Sequence, residues 1–176
     1  MSQMKVVFRG VEHGEAMLVI DAQRYSREER RHFINGASAK AVFGSGVYLV
    51  SNPEVAAHYA ICHAETTWDK AAVLQQKLLV SRLFVLDRQY GENELRRDAL
   101  AARHTNQELV GLQEKMTYQE WLEWTGGEVR SFLLDKGYQG IQYEISPELT
   151  YYICYQSDSC ITDITLYAIL DLQSFE

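Results

Sequence analysis

The spacing of apolar side chains predicts strands at both ends of the chain and helices between them. Lys5–Phe8 is a short β-prone run, and Arg9-Gly10 after it predicts a turn. From about Glu15 to Phe33, apolar and charged residues recur at near-helical spacing, with Asn35-Gly36 as the stop. Ala41–Val50 predicts a strand broken by Gly44 and Gly46. Asn52-Pro53-Glu54 then combines a capping side chain, a proline for the first turn and an early carboxylate. It predicts a helix through Val55, Ala56, Tyr59, Ala60 and His63.

Further along, Ala72–Asp87 is rich in valine and leucine and predicts a strand at Leu78–Leu86. Glu92–Leu134 is charged and helical in period, with Gly126-Gly127 predicting a break between helices. The last part is different in kind. Gly140–Ile145, Leu149–Tyr155 and Ile161–Leu170 are β-branched and aromatic, joined by short polar connections, and predict an antiparallel meander. No repeat or linker interrupts the order, so the expectation is one α+β domain over residues 1–176.

Composition narrows the class. With 47% hydrophobic and 23% charged residues, the chain has enough apolar surface for a core, which excludes a disordered protein. A net charge of −7 disfavours non-specific adhesion to nucleic acid or an anionic membrane, because both need a basic footprint. The densest basic cluster, Arg24, Arg27, Arg30, Arg31 and His32, is interrupted by Glu28 and Glu29 and reads as a solvated helix face. Cys62, Cys154 and Cys160 have no disulfide spacing and read as reduced, buried thiols. The opening residues have no signal-peptide core, and no apolar run reaches membrane-spanning length. The expected address is the cytoplasm, or the cytosol of a host or target cell into which the protein is delivered.

Several groups with chemical potential point nowhere further. His58, Cys62 and His63 share a predicted helix, but no second pair completes a zinc site, so no metal is expected. Trp121 and Trp124, near Met116 and Leu122, read as one amphipathic helix face. Ser45 lacks the following helix that a nucleophile elbow requires.

The informative segment is Gly46-Val47-Tyr48-Leu49-Val50-Ser51-Asn52-Pro53-Glu54-Val55-Ala56-Ala57-His58-Tyr59-Ala60. It resembles the strand-then-helix signature of the diphtheria-toxin and poly(ADP-ribose) polymerase branch of the ADP-ribosyltransferases. In that branch a Gly-x-Tyr ends a strand, and a second tyrosine follows on the next helix after small residues. Tyr48 and Tyr59 have that arrangement here, with Ala56 and Ala57 as the small residues. Two aromatic faces suit the flat nicotinamide ring, the leaving group of NAD.

Phe8-Arg9-Gly10 resembles the His-Gly or Arg-Gly that ends the family's first strand, with Arg9 toward the arginine-bearing branch. The resemblance implies that Gly10 grips the nicotinamide carboxamide by its backbone, and that Arg9 holds ribose or phosphate. Lys136-Gly137-Tyr138-Gln139-Gly140-Ile141, followed by Tyr151-Tyr152-Ile153-Cys154, resembles the family's closing hairpin. There the pattern departs, because Tyr151 stands where the family has a glutamate that stabilises the ribosyl cation. Glu144 and Glu148 are the neighbouring candidates for that role, and a third reading has no catalytic carboxylate at all.

The resemblance thus implies split antiparallel β-sheets around an NAD cleft, with a helical insert at about 92–134. It implies a mono-ADP-ribosyltransferase using NAD as substrate and no metal. The catalytic candidates are Arg9, Tyr48, Tyr59, Glu144 and Glu148, and the NAD-binding candidates are Arg9, Gly10, Gly46, Tyr48, Ala56 and Tyr59. The expected acceptor is a macromolecule, protein rather than nucleic acid. A bacterial toxin or effector, with an antitoxin or chaperone as partner, follows by analogy. The alternatives are an NAD glycohydrolase, an inactive binding module of the same fold, and an RNA 2′-phosphotransferase, which would need more basic residues than Arg9.

Overall fold

Strand β1 (Met4–Glu12) continues straight through Arg9-Gly10, where the sequence predicts a turn. The computed structural model describes residues 3–25, 40–62, 64 and 68–172. On β1, Val7 and Val11 are buried on one face of the sheet, and Phe8 on the other. Gly10 stays within the strand because a helix lies against it. A β-carbon there would sit 2.3 Å from the Ala56 carbonyl oxygen and 2.7 Å from Ala60 Cβ.

Helix α1 (His13–Ala22) is capped by Glu12, whose carboxylate accepts the Glu15 N–H at 2.8 Å. It ends at Gln23, which is left-handed with φ 55°. That side chain donates to the Ile164 carbonyl at 2.8 Å and accepts the Ile164 N–H at 3.0 Å. The remainder of the predicted helix, its Asn35-Gly36 stop and most of the basic cluster lie outside the described residues; Arg24 is exposed.

The predicted broken strand is instead helix α2 (Lys40–Phe43), a turn, and strand β2 (Val47–Val50). Gly44 has φ +85°, and a β-carbon there would lie 2.7 Å from the Gly126 carbonyl oxygen. Helix α3 (Pro53–Cys62) begins as its sequence predicts. Asn52 Oδ1 accepts the Glu54 N–H at 2.8 Å and the Val55 N–H at 3.2 Å.

The single strand predicted at 78–86 is two strands, β3 (Lys70–Leu79) and β4 (Leu83–Leu86). β3 pairs with β1 along its length, and Ala71–Leu74 are buried without alternation, which hides its period. Helices α4 (Glu92–Ala101), α5 (Asn106–Lys115) and α6 (Tyr118–Asp135) follow. The breaks fall at the capping residues Thr105 and Thr117, whereas α6 runs unbroken through Gly126-Gly127.

Strands β5 (Gly140–Ser146) and β6 (Leu149–Cys154) form the predicted hairpin. After the short α7 (Ser157–Cys160), β7 (Ile161–Asp171) leaves the predicted meander and pairs with β3 at the other end of the sheet. The result is α+β, with one seven-stranded sheet in the order β4-β5-β6-β2-β1-β3-β7. Among the described residues, only the β4–β5 pair is parallel. α1 packs on one face with Val7, Val11, Leu74 and Leu49. The other face carries two clusters, one built on Ala56 of α3 and one on Leu95, Val129 and Leu133 of α4 and α6. Cys154 and Cys160 are buried free thiols as expected, but Cys62 is exposed.

Candidate functional site

The junction of β1 and β2 is nearly unpaired. Among the described residues, Phe8–Val50 is the single pair between them. Toward Gly10 and Tyr48 the ladder gives way to a side chain, with Arg9 Nη1 donating to the Tyr48 carbonyl oxygen at 3.0 Å. A cavity of about 330 Å³ lies at this seam, within the usual range for small-molecule sites of roughly 300–1,000 Å³. Its lining is mostly apolar and aromatic, with Phe8, Phe43, Tyr48, Tyr59, Tyr143 and Tyr151 prominent.

Tyr48 reaches the cavity from β2, and its hydroxyl donates to the Gly44 carbonyl at 2.8 Å, which fixes the ring against the α2–β2 turn. Tyr59 reaches it from α3, together with Val55 and Ala56. The two tyrosines of the sequence signature therefore line one space. Gly10 lines it too, although close packing of α3 already demands a glycine there.

Arg9 is placed differently from the tyrosines. It pairs across β1–β3 with Leu74, on the face covered by α1, and is 5% exposed, yet it is one of the residues lining the cavity. Its guanidinium carbon lies 5.1 Å from the centre of the Tyr25 ring. Burial pushes the Tyr25 phenol well above its ordinary range, and the Arg9 charge partly opposes this. Tyr25 donates in turn to Gln76 Oε1, and Gln76 Nε2 to the Val7 carbonyl at 2.9 Å. Arg9 thus belongs to a buried polar chain and straps the two strands together at their seam.

Three expected site residues do not line the cavity. Gly46 faces β6 instead, where a β-carbon would lie 2.9 Å from the Cys154 carbonyl oxygen. Glu144 is exposed between Tyr143 and Ile145, which do line the cavity, so strand alternation turns it to the opposite face. There its Oε1 accepts from Gln142 Nε2 at 3.1 Å. Glu148 is exposed in the β5–β6 turn. Tyr151, opposite Tyr143 on the neighbouring strand, does reach the cavity.

The carboxylate that borders the cavity is Glu92, which sequence reasoning passed over. It opens α4, and Arg96 Nη2 donates to its Oε1 at 2.7 Å. The Tyr143 phenol is raised mainly by burial and then by the charges of Glu92 and Glu94, which puts both near that ring. The available sequence signal was a Glu–Arg pair at helical spacing, which ordinarily marks a solvated face.

Elsewhere, Cys62 Sγ lies 3.4 Å from His58 Nε2, and no group of three or more potential metal ligands forms among the described residues. Trp121 and Trp124 stack on α6 at 5.4 Å, with His104 of the α4–α5 turn against Trp124. No described helix is long and apolar enough to cross a membrane. Compared with protein-family models, curated proteins and solved structures, the chain has no significant match.

Proposed function

We propose that the protein is a mono-ADP-ribosyltransferase that binds NAD in the seam between β1 and β2, releases nicotinamide and passes ADP-ribose to a macromolecular acceptor, a protein. The reading is supported above all by the convergence of Tyr48 and Tyr59 on one cavity with Gly10. These residues come from a strand, a helix and a second strand, and all three are among those singled out by the family resemblance. An aromatic, mostly apolar chamber suits a flat, neutral leaving group. Near-complete loss of pairing between β1 and β2 also suits a sheet split into two halves around a ligand. In this reading the tyrosine rings hold nicotinamide, Gly10 allows close approach, and Arg9 meets the ribose-phosphate from the strand edge.

A bacterial toxin or effector acting in a cytosol fits this activity by analogy, with an antitoxin or chaperone as its partner.

One observation favours a second reading, a binding module without turnover. Tyr151 occupies the cavity where the family strand carries its glutamate, and both Glu144 and Glu148 lie outside. Nicotinamide release from NAD, measured with and without cell extract, separates the readings. Release that needs extract and labels a protein supports the transferase. Release without an acceptor makes the protein an NAD glycohydrolase. NAD binding without release under either condition makes it a module.

A further inference from the structure

Two acidic residues occupy the first turn of α4, and their side chains divide the work. Glu94 reaches back to the Gly91 N–H at 3.0 Å and closes the helix end. Glu92 is left to the cavity wall, about a third exposed, with one oxygen held by Arg96. Among the described residues that line the cavity, Glu92 is the single acidic one and Arg9 the single basic one.

Breaking the bond between nicotinamide and ribose sends the bonding electron pair to the ring, which leaves neutral, and positive charge develops on the ribosyl carbon. A fixed anion beside that carbon stabilises that charge more than it stabilises the bound ground state. Glu144 and Glu148 are turned away from this space. We infer that Glu92, supplied by the helical segment and not by the closing hairpin, is the carboxylate that stabilises the ribosyl cation. Its free oxygen accepts a ribose hydroxyl. The acceptor forms the new bond to the ribosyl carbon, and the proton it sheds passes through Glu92 to solvent. Arg96, whose Nη2 donates to Glu92 Oε1 at 2.7 Å, is a positioning residue that aims it.

This inference rests on the transferase reading, and the test keeps the two apart. Nicotinamide release and NAD affinity are measured for the parent, Glu92→Gln and Glu144→Gln, with thermal melts alongside. Glu92→Gln is expected to lower kcat at least about tenfold, the scale of one lost transition-state contact, with NAD affinity within about twofold of the parent. If Glu92→Gln does not fold, Glu92→Asp takes its place, and its retracted carboxylate is expected to lower kcat while KM holds. A Glu92 variant with the parental kcat overturns the inference alone, as does a larger loss in Glu144→Gln, which returns the role to β5. A parent that never cleaves NAD overturns the transferase reading and this inference with it.

Discussion

Among the described residues, β1 pairs with β3 at nine consecutive positions, from Met4–Leu79 to Glu12–Ala71, but with β2 at Phe8–Val50 alone. The β1–β3–β7 half is therefore stitched by its backbone. The β2–β6–β5–β4 half is joined to it chiefly by side chains: Arg9 on the Tyr48 carbonyl, and α3 packed over Gly10. A continuous ladder satisfies its own polar groups and leaves no room between strands. A seam frees carbonyls and volume together, which is why the cavity lies here and not along β3. If the seam binds NAD as proposed, stability and binding fall on the same few residues, and substitutions there should expose the contrast.

The largest effect is expected from Gly10→Val. Its β-carbon would overlap the Ala56 carbonyl, and the strain should cost about 3 kcal/mol in urea unfolding. A parental midpoint would show that α3 can lift from the seam at little cost. Next, Arg9→Ala removes a charged hydrogen bond and its stacking on Tyr25, for about 2 kcal/mol of stability. Because the proposed site also sets Arg9 on the ribose-phosphate, NAD affinity measured well below the melting temperature is expected to fall too. Unchanged affinity would leave the strap as its whole role.

Tyr59→Ala touches the ligand side of the comparison. It should weaken NAD binding by about 1.5 kcal/mol, a little over tenfold in Kd, while the melt shifts little. Unchanged titration curves would remove Tyr59 from the site. The smallest effect has the opposite sign and lies away from the seam. Gly127 sits in α6 with open space around it, so Gly127→Ala should raise stability by about 0.5–1 kcal/mol. A loss there would reveal contacts that the helix surface does not show.

These contrasts also explain what could be read from the sequence. The start of α3 was legible because its signals, Asn52 and Pro53, act within one turn of chain. The convergence of Tyr48 and Tyr59 was legible for a related reason, since a strand, a cap and a helix follow one another directly. Gly10 misled, because the residues that demand a glycine there, Ala56 and Ala60, lie far along the chain. A glycine after a short apolar run looks the same whether it ends a strand or admits a helix.

β7 misled for another reason. Its β-branched pattern identifies a strand but carries no record of its neighbour, and Gln23 helps to hold it on the far side of the sheet. Glu144 shows how sharp the limit is. A one-residue shift relative to Tyr143 decides whether a carboxylate meets the cavity or the solvent, and proximity in sequence to a motif does not fix that. Glu92 was overlooked because acidic residues in a first turn are commonplace complements to the helix dipole.

The parallel pairing of β4 with β5 has a consequence for how far this chain could be cut down. Leu83 lies beside Gly140 and Leu86 beside Tyr143, so both strands run the same way. No hairpin can join such neighbours; the polypeptide must retrace the length of β4 before β5 begins, a journey of about a dozen residues or more. α4, α5 and α6 make that journey, and their Leu95, Ala99, Val129 and Leu133 are buried along the way. The helical segment that resembles an insert is the return path itself. A version spliced directly from Leu86 to Gly140 would have to flip β5 end for end. Because β5 is antiparallel to β6, that flip would break the hairpin as well and carry Tyr143 away from Tyr151.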